Sequence, residues 1–265
     1  MNKTAVALTI AGSDPSGGAG LQADLKTFHQ HRVYGASAIT LITVQNTVGV
    51  SRVELLPPEW LAQQIAAVLA DIPPHAVKTG ALGGIAAIEV IAAARLNCAL
   101  VVDPVMISKH GAPLMAAEAG EALKKLLLPL ATLVTPNLHE ATAITGIEVN
   151  SVESMKEAAR RIQGMGAKAV LVKGGHLEGD AIDVLLADGE FTEFRSVRFP
   201  TQHTHGTGCT YSAAITALLA RGYALSEAVS EAKTFISEAI RTAPGLGAGS
   251  GPVNHWARSI YIGVS

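Results

Sequence analysis

The chain has 265 residues, 49% of them hydrophobic, and a formal net charge of −2 from 20 Lys+Arg against 22 Asp+Glu. So apolar a composition buries enough surface to offset chain entropy, which excludes disorder, and the near-neutral balance offers no positive field for nucleic acid or an anionic membrane. With 26 glycines and 12 prolines the chain is neither collagen-like nor of low complexity.

Short apolar runs alternate with amphipathic stretches along the whole sequence. Residues 6–10 read as a strand ended by Gly12-Ser13-Asp14-Pro15, and Leu21, Leu25 and Phe28 mark one face of a helix. A strand over 38–44 precedes a helix that Pro57-Pro58 opens, with Trp60, Leu61, Ile65 and Val68 inward, and that Pro73-Pro74 stops. Strands follow at 76–78, 99–102, 132–134 and 169–172, separated by helices at 85–96, 116–127 and 152–162. Residues 182–199, turning at Asp188-Gly189, read as an antiparallel hairpin. Two helices close the series, 207–221 and 226–240, the second with Ser226 as N-cap. Strands apolar on both faces imply an α/β fold: a central, mostly parallel sheet flanked by helices on both faces. No linker, charge block or internal repeat interrupts it, so residues 1–265 are expected to form a single domain.

Cys98 and Cys209 stand far apart without a CxxC pair, which excludes a disulfide framework and a cysteine-rich zinc site. The start of the chain shows no signal-peptide pattern, and Glu89, Arg95 and Asp103 break the best candidate for a membrane span. A soluble, cytoplasmic protein is expected.

In an open parallel sheet, ligands bind beyond the carboxyl ends of the strands. The residues expected there are unusually rich in chemistry. They comprise Gly12 to Gly20, Gln45-Asn46, Lys78-Thr79-Gly80, Asp103-Pro104, Thr135-Pro136-Asn137 with Glu140, and Lys173-Gly174-Gly175-His176. The segment His205-Gly206-Thr207-Gly208-Cys209 precedes a helix on the same edge. Gly12 to Gly17 has the spacing of a P-loop, but Gly18-Ala19 replaces the required Lys and Ser/Thr. Tyr211 replaces the third glycine of a dinucleotide fingerprint. What remains for Gly206-Thr207-Gly208 is an anion-binding turn at a helix N-terminus, or a glycine-rich helix start that serves packing alone.

Cys209 admits several roles: a nucleophile with His205, a metal ligand with His203 and His205, a base or positioning group beside the anion turn, or a small buried hydrophobe. Asp103 and Glu140 follow separate strands and suit one magnesium ion; the alternatives are a loop cap and a first-turn helix residue. Lys173 ends an apolar strand, where a cation suits a polyphosphate. Asp24 reads as a solvated helix position, and His29, His31 and His75 as surface residues.

Residues 11–26, AGSDPSGGAGLQADLK, are similar to the opening signature of the hydroxymethylpyrimidine/phosphomethylpyrimidine kinases of thiamine biosynthesis. Gln45-Asn46-Thr47, Asp103-Pro104-Val105-Met106, Thr135-Pro136-Asn137, Lys173-Gly174-Gly175-His176, His205 to Thr210 and Gly251 to Trp256 extend the resemblance, in order, over nearly the whole chain. It implies a ribokinase-like fold, a homodimer, and an ATP- and Mg2+-dependent enzyme. That enzyme phosphorylates 4-amino-5-hydroxymethyl-2-methylpyrimidine and then its monophosphate. It further implies that Gly12, Asp24, Gln45 and Val105 hold the pyrimidine, and that Gly206, Thr207 and Gly208 form the anion hole. Asn137, Lys173 and Thr207 would meet ATP, and Asp103 and Glu140 would hold magnesium directly or through water. Cys209 would take the hydroxyl proton in the first transfer as a partly ionised thiol; the second needs no base, because the attacking phosphate is already anionic. Many relatives carry Met where Ala81 stands on the pocket wall, which leaves room here for a bulkier ring. The segment 108–112 resembles the family's flap. The nearest alternative is a pyridoxal or pyridoxine kinase, with the same chemistry on another flat ring bearing a hydroxymethyl arm. A Cys209-dependent hydrolase and a non-catalytic ligand-binding module are more remote.

Overall fold

The computed structural model describes residues 4–108, 111–116, 118–175, 177 and 179–258. A nine-stranded sheet runs in the order β3-β2-β1-β4-β5-β6-β7-β8-β9. Its strands are β1 (Val6–Ser13), β2 (Tyr34–Gln45), β3 (Val50–Leu55), β4 (Ala76–Thr79), β5 (Ala99–Val102), β6 (Leu133–Val134), β7 (Val170–Gly174), β8 (Ala181–Ala187) and β9 (Glu190–Ser196). From β2 through β7 neighbours pair in parallel, while β3, β8 and β9 are added antiparallel to their neighbours. The helices are α1 (Gly20–Gln30), α2 (Pro58–Asp71), α3 (Ile85–Ala93), α4 (Ala119–Ala122), α5 (Leu138–Thr145), α6 (Val152–Gly164), α7 (Thr207–Ala220) and α8 (Leu225–Arg241).

Strand alternation sends side chains to two cores. Leu8, Ile10, Val77, Leu100, Val102, Val134, Val170 and Val172 pack on one side. Val101, Leu133, Leu171 and Leu185 pack on the other, against α7 and α8. The face carried by α1 adds Phe28, Ala7 and Ala213. Helix α7 is buried nearly all round from Thr210 to Ala220, which fixes its N-terminus in place.

The expected α/β architecture is present, with differences that have physical causes. Strand β3 was not expected: its residues are mostly exposed and carry no apolar run. Trp60 is not inward but 61% exposed, and only Leu61 and Ile65 of that helix are buried. The helix expected over 116–127 is a short α4 that widens into a π turn at Leu123–Leu127 and tightens into a 3-10 turn at Leu128–Leu130, where Pro129 removes a donor. Helix α5, presupposed only by the first-turn alternative for Glu140, is capped by Asn137 and ended by Gly146 in the left-handed region. Ser226 is not an N-cap; the helix starts a residue earlier, behind extended Ala224. Among the described residues no helix is long and apolar enough to cross a membrane.

Candidate active site

The strand order turns at β1, with β2 on one side and β4 on the other, so a crevice opens past the carboxyl ends of these strands. A cleft of about 690 Å³ lies there. Gly12, Gln45, Ala81, Val105, Asp103, Asn137, Glu140, Lys173, Gly206, Thr207, Gly208 and Cys209 all line it. Residues from seven segments thus converge because each ends or follows a strand or opens α7.

Asp24 is the exception, since it is absent from the lining and fully buried. Its Oδ2 accepts from Thr9 Oγ1 at 2.6 Å and from Lys78 Nζ at 2.8 Å. The solvated position expected for it is corrected accordingly: Asp24 falls on the Leu21/Phe28 face of α1, which packs onto the sheet, and β4 supplies the compensating ammonium. Burial disfavours the charge on Lys78, but Asp24, together with Cys209 and Asp103 nearby, outweighs it and holds the lysine above its ordinary range. His31 is likewise not a surface residue: it is buried edge-on against Phe235, and burial pushes its pKa down to about 4.

The anion turn has the geometry such a role needs. Gly206 has φ +76°, and a Cβ there would lie 1.8 Å from the Gly18 carbonyl oxygen, so the turn and the glycine loop 14–20 are pressed together. A Cβ on Gly208 would lie 3.3 Å from Lys173 Nζ and 3.9 Å from Asp103 Oδ2. The positive end of α7 and the Lys173 ammonium therefore share one spot.

Lys173 donates to Asp103 Oδ1 at 2.9 Å, and Ser212 Oγ donates to Oδ2 at 3.0 Å. Burial pushes the Asp103 carboxyl up, but Lys173 and Lys78 more than offset it and hold the group below the usual carboxylate range. Glu140 closes a capping box: its Oε2 accepts from Asn137 N at 2.8 Å, and Asn137 Oδ1 accepts from Glu140 N at 2.9 Å. The first-turn alternative for Glu140 is therefore a structural fact, and it is compatible with a ligand role on the cleft wall. Burial pushes this carboxyl up to about 7, while Lys173 pulls it down. Among the described residues no group of three or more His, Cys, Asp or Glu could hold a metal ion. The two carboxylates fit an ion that keeps several waters and takes phosphate oxygens, as magnesium does.

The partly ionised thiol expected for Cys209 is corrected. Burial pushes the thiol up to about 11, against a pull from Lys78 and an N–H donated by Gly20. Desolvation outweighs the helix end. The metal trio with His203 and His205 does not converge either. His203 Nδ1 accepts from Gly251 N at 3.2 Å, whereas His205 Nε2 faces Asp14 Oδ2 at 2.9 Å and the Gln45 amide nitrogen at 3.2 Å. Sequence reasoning placed Asp14 at this edge, inside the opening signature, but gave it no role, and it treated His205 only as a partner for Cys209. Ser108 lines the cleft and accepts an N–H from Ala112 at 2.9 Å, but Lys109 and His110 of the flap-like segment, and His176, lie outside the described residues.

The model of the phosphomethylpyrimidine kinase family matches residues 14–254. A hydroxymethylpyrimidine/phosphomethylpyrimidine kinase of Haemophilus influenzae is 48% identical over 98% of this chain and 99% of its own. A thiamine biosynthesis bifunctional protein of Geobacter sulfurreducens is 50% identical over 94% of this chain, which spans only 51% of that longer protein. Among solved structures, the Staphylococcus aureus pyridoxal kinase in complex with AMP-PCP and pyridoxal has TM-score 0.88 and 40% identity, covering 96% of this chain and 95% of its own. The phosphomethylpyrimidine kinase of Clostridium difficile has TM-score 0.80 and 48% identity, covering 89% of this chain and all of its own. With a family match over most of its length and close relatives matched nearly end to end, the chain belongs to the phosphomethylpyrimidine kinase family, phosphotransferases of ribokinase-like fold.

Proposed function

We propose that the chain, acting as one kinase domain, transfers the γ-phosphoryl of ATP to the hydroxymethyl oxygen of 4-amino-5-hydroxymethyl-2-methylpyrimidine. It then adds a second phosphoryl group to the resulting monophosphate. The observation that carries this reading is the coincidence of Lys173, Asp103 and the N-terminus of α7 around Gly208, in a cleft that the Gln45 amide also lines. Phosphoryl transfer depends mainly on positioning and charge neutralisation, and this arrangement supplies both.

Gly12, Gln45, Ala81 and Val105 line the acceptor end, where an amide offers the donor and acceptor that an aminopyrimidine needs. Asp24 does not touch the ring: it and its partner Lys78 both lie off the cleft lining. Lys173, Asn137 and Thr207 meet the nucleotide; the Asn137 oxygen is spent on its helix cap, so its NH2 is the group available. Gly206, Thr207 and Gly208 receive the phosphoryl group in flight. Asp103 and Glu140 hold Mg2+, directly or through water, and when bound the ion neutralises phosphate charge. Cys209 takes the hydroxyl proton in the first transfer, its ionised form scarce at neutral pH but strongly basic. The partners are small molecules, in a soluble cytoplasmic homodimer.

A pyridoxal-phosphorylating side activity is the second reading, favoured by Ala81, whose small side chain leaves the cleft wall wide, and by the likeness to pyridoxal kinases. The two are separated by offering purified enzyme each acceptor alone and both together with Mg-ATP. The first reading expects the pyrimidine to be turned over faster and to inhibit pyridoxal phosphorylation. Turnover of pyridoxal with none of the pyrimidine overturns it.

A further inference from the structure

Asp14 is almost fully buried, and its carboxylate is ringed by donors. Oδ1 accepts from Ser16 N at 2.9 Å and Ser16 Oγ at 2.7 Å, while Oδ2 accepts from Ala19 N at 2.9 Å. The remaining partner of Oδ2 is His205 Nε2 at 2.9 Å. Burial raises this carboxyl, but His205, Ser16 and Ala19 outweigh it and keep it ionised. An ionised carboxylate can only accept, so the hydrogen of the 2.9 Å contact belongs to His205 Nε2.

That assignment reaches Gln45. Its amide nitrogen lies 3.2 Å from the same Nε2, and its oxygen lies 3.3 Å from Thr43 Oγ1, whose hydrogen is given to Ser13 O at 3.0 Å. Two donors would face each other at the histidine and two acceptors at the threonine. Turning the amide by 180° removes both conflicts: the oxygen faces the Nε2–H that Asp14 holds and takes the longer arm of a shared hydrogen bond, and the NH2 donates to Thr43. One lone pair and one N–H are then left for a ligand, in a fixed order. An amino group beside a ring nitrogen complements that order, and pyridoxal, with no such amine, satisfies half of it.

We propose that Asp14 and His205 are positioning residues which lock the direction of the Gln45 amide and thereby set the preference for an aminopyrimidine over a pyridine ring. The proposal rests on the aminopyrimidine reading given above. Glycines enforce the contact: a Cβ on Gly18 would lie 2.4 Å from His205 Cδ2, and the His205 backbone is held by Gly251 O at 3.0 Å.

The test pairs a spectroscopic readout with a kinetic one. Nitrogen-15 NMR of the wild-type protein, with the His205 signals assigned by their loss in His205→Gln, is expected to show the Nε2–H tautomer or the doubly protonated ring. An Nδ1–H tautomer overturns the proposal. His205→Phe is expected to raise KM for the hydroxymethylpyrimidine about tenfold, with kcat and KM for ATP within about threefold, and to lower its preference over pyridoxal by a similar factor. His205→Gln, which keeps a donor toward Asp14, is expected to recover part of that preference. A substitution that lowers kcat for both acceptors equally, with the preference unchanged, overturns the positioning role. Failure of the wild-type enzyme to phosphorylate the pyrimidine at all would instead defeat the underlying reading, with the tautomer result unaffected.

Discussion

Two Asp–Lys pairs of nearly equal length stand at the same edge of the sheet and do different work. Asp24–Lys78, at 2.8 Å, has no exposed side-chain surface and lies off the cleft lining. Asp103–Lys173, at 2.9 Å, leaves Lys173 12% exposed, with its ammonium beside the N-terminus of α7. The first closes a core and the second opens onto the cleft. A buried ion pair is thus not in itself a sign of chemistry; what distinguishes the second is that its cation still has a free direction and a helix end to share.

Substituting each lysine separates the two most sharply. Lys173→Met is expected to lower kcat/KM by about a thousandfold or more, through lost charge neutralisation at the phosphates, and to cost less unfolding free energy than Lys78→Met, because Thr135 and Ser212 still donate to the Asp103 carboxylate it leaves behind. Lys78→Met is expected to destabilise by about 3–5 kcal/mol in denaturant unfolding, because it strands a buried carboxylate. Reversal of that order would erase the distinction between the pairs.

Cys209 sharpens the comparison next, because it feels both lysines. Its thiol lies near 11, so if its ionised form takes the proton, the rate of the first transfer should rise about tenfold per pH unit between pH 7 and 9. Cys209→Ala should remove that rise and cost the first transfer about a hundredfold, while the second transfer changes less than about threefold. Equal losses in both transfers would leave Cys209 as a packing residue.

Glu140 gives a smaller, signed effect on the open side of the site. Its folded pKa of about 7 lies above the ordinary 4.5. The stability linked to it is therefore full below 4.5 and is lost as pH rises through about 7. Binding of Mg-ATP should favour the ionised form and release a proton near pH 6.5. Calorimetry in buffers of different ionisation enthalpy measures this, and Glu140→Gln should abolish it. On the closed side, His31 runs the other way. Lowered to about 4, it contributes stability that is present above 6.5 and is lost as pH falls toward 4, so His31→Gln should flatten unfolding free energy over that window.

What was legible in the sequence follows from the range of the forces involved. Strand ends and glycine turns are local signals, and they brought Gly12, Gln45, Asp103, Asn137, Lys173 and Gly206 to one cleft. Burial is not local. Asp24 lies on the Leu21/Phe28 face, a signal that could have placed it inside, but its partner Lys78 comes from β4, far along the chain. His31 is buried by Phe235, far along the chain, and Cys209 carries a neutral thiol because the environment that desolvates it is assembled from several elements. Strand β3 pairs antiparallel with β2 along mostly exposed residues and left no apolar period to read.

The most direct test of the central claim is to supply the purified enzyme with Mg-ATP and the hydroxymethylpyrimidine monophosphate, and to follow the products by phosphorus NMR. The expected result is the paired resonances of a pyrimidine diphosphate, formed in step with ADP. ADP release without that diphosphate, or no reaction on the monophosphate under conditions where the alcohol is phosphorylated, would contradict a cleft built for two successive transfers.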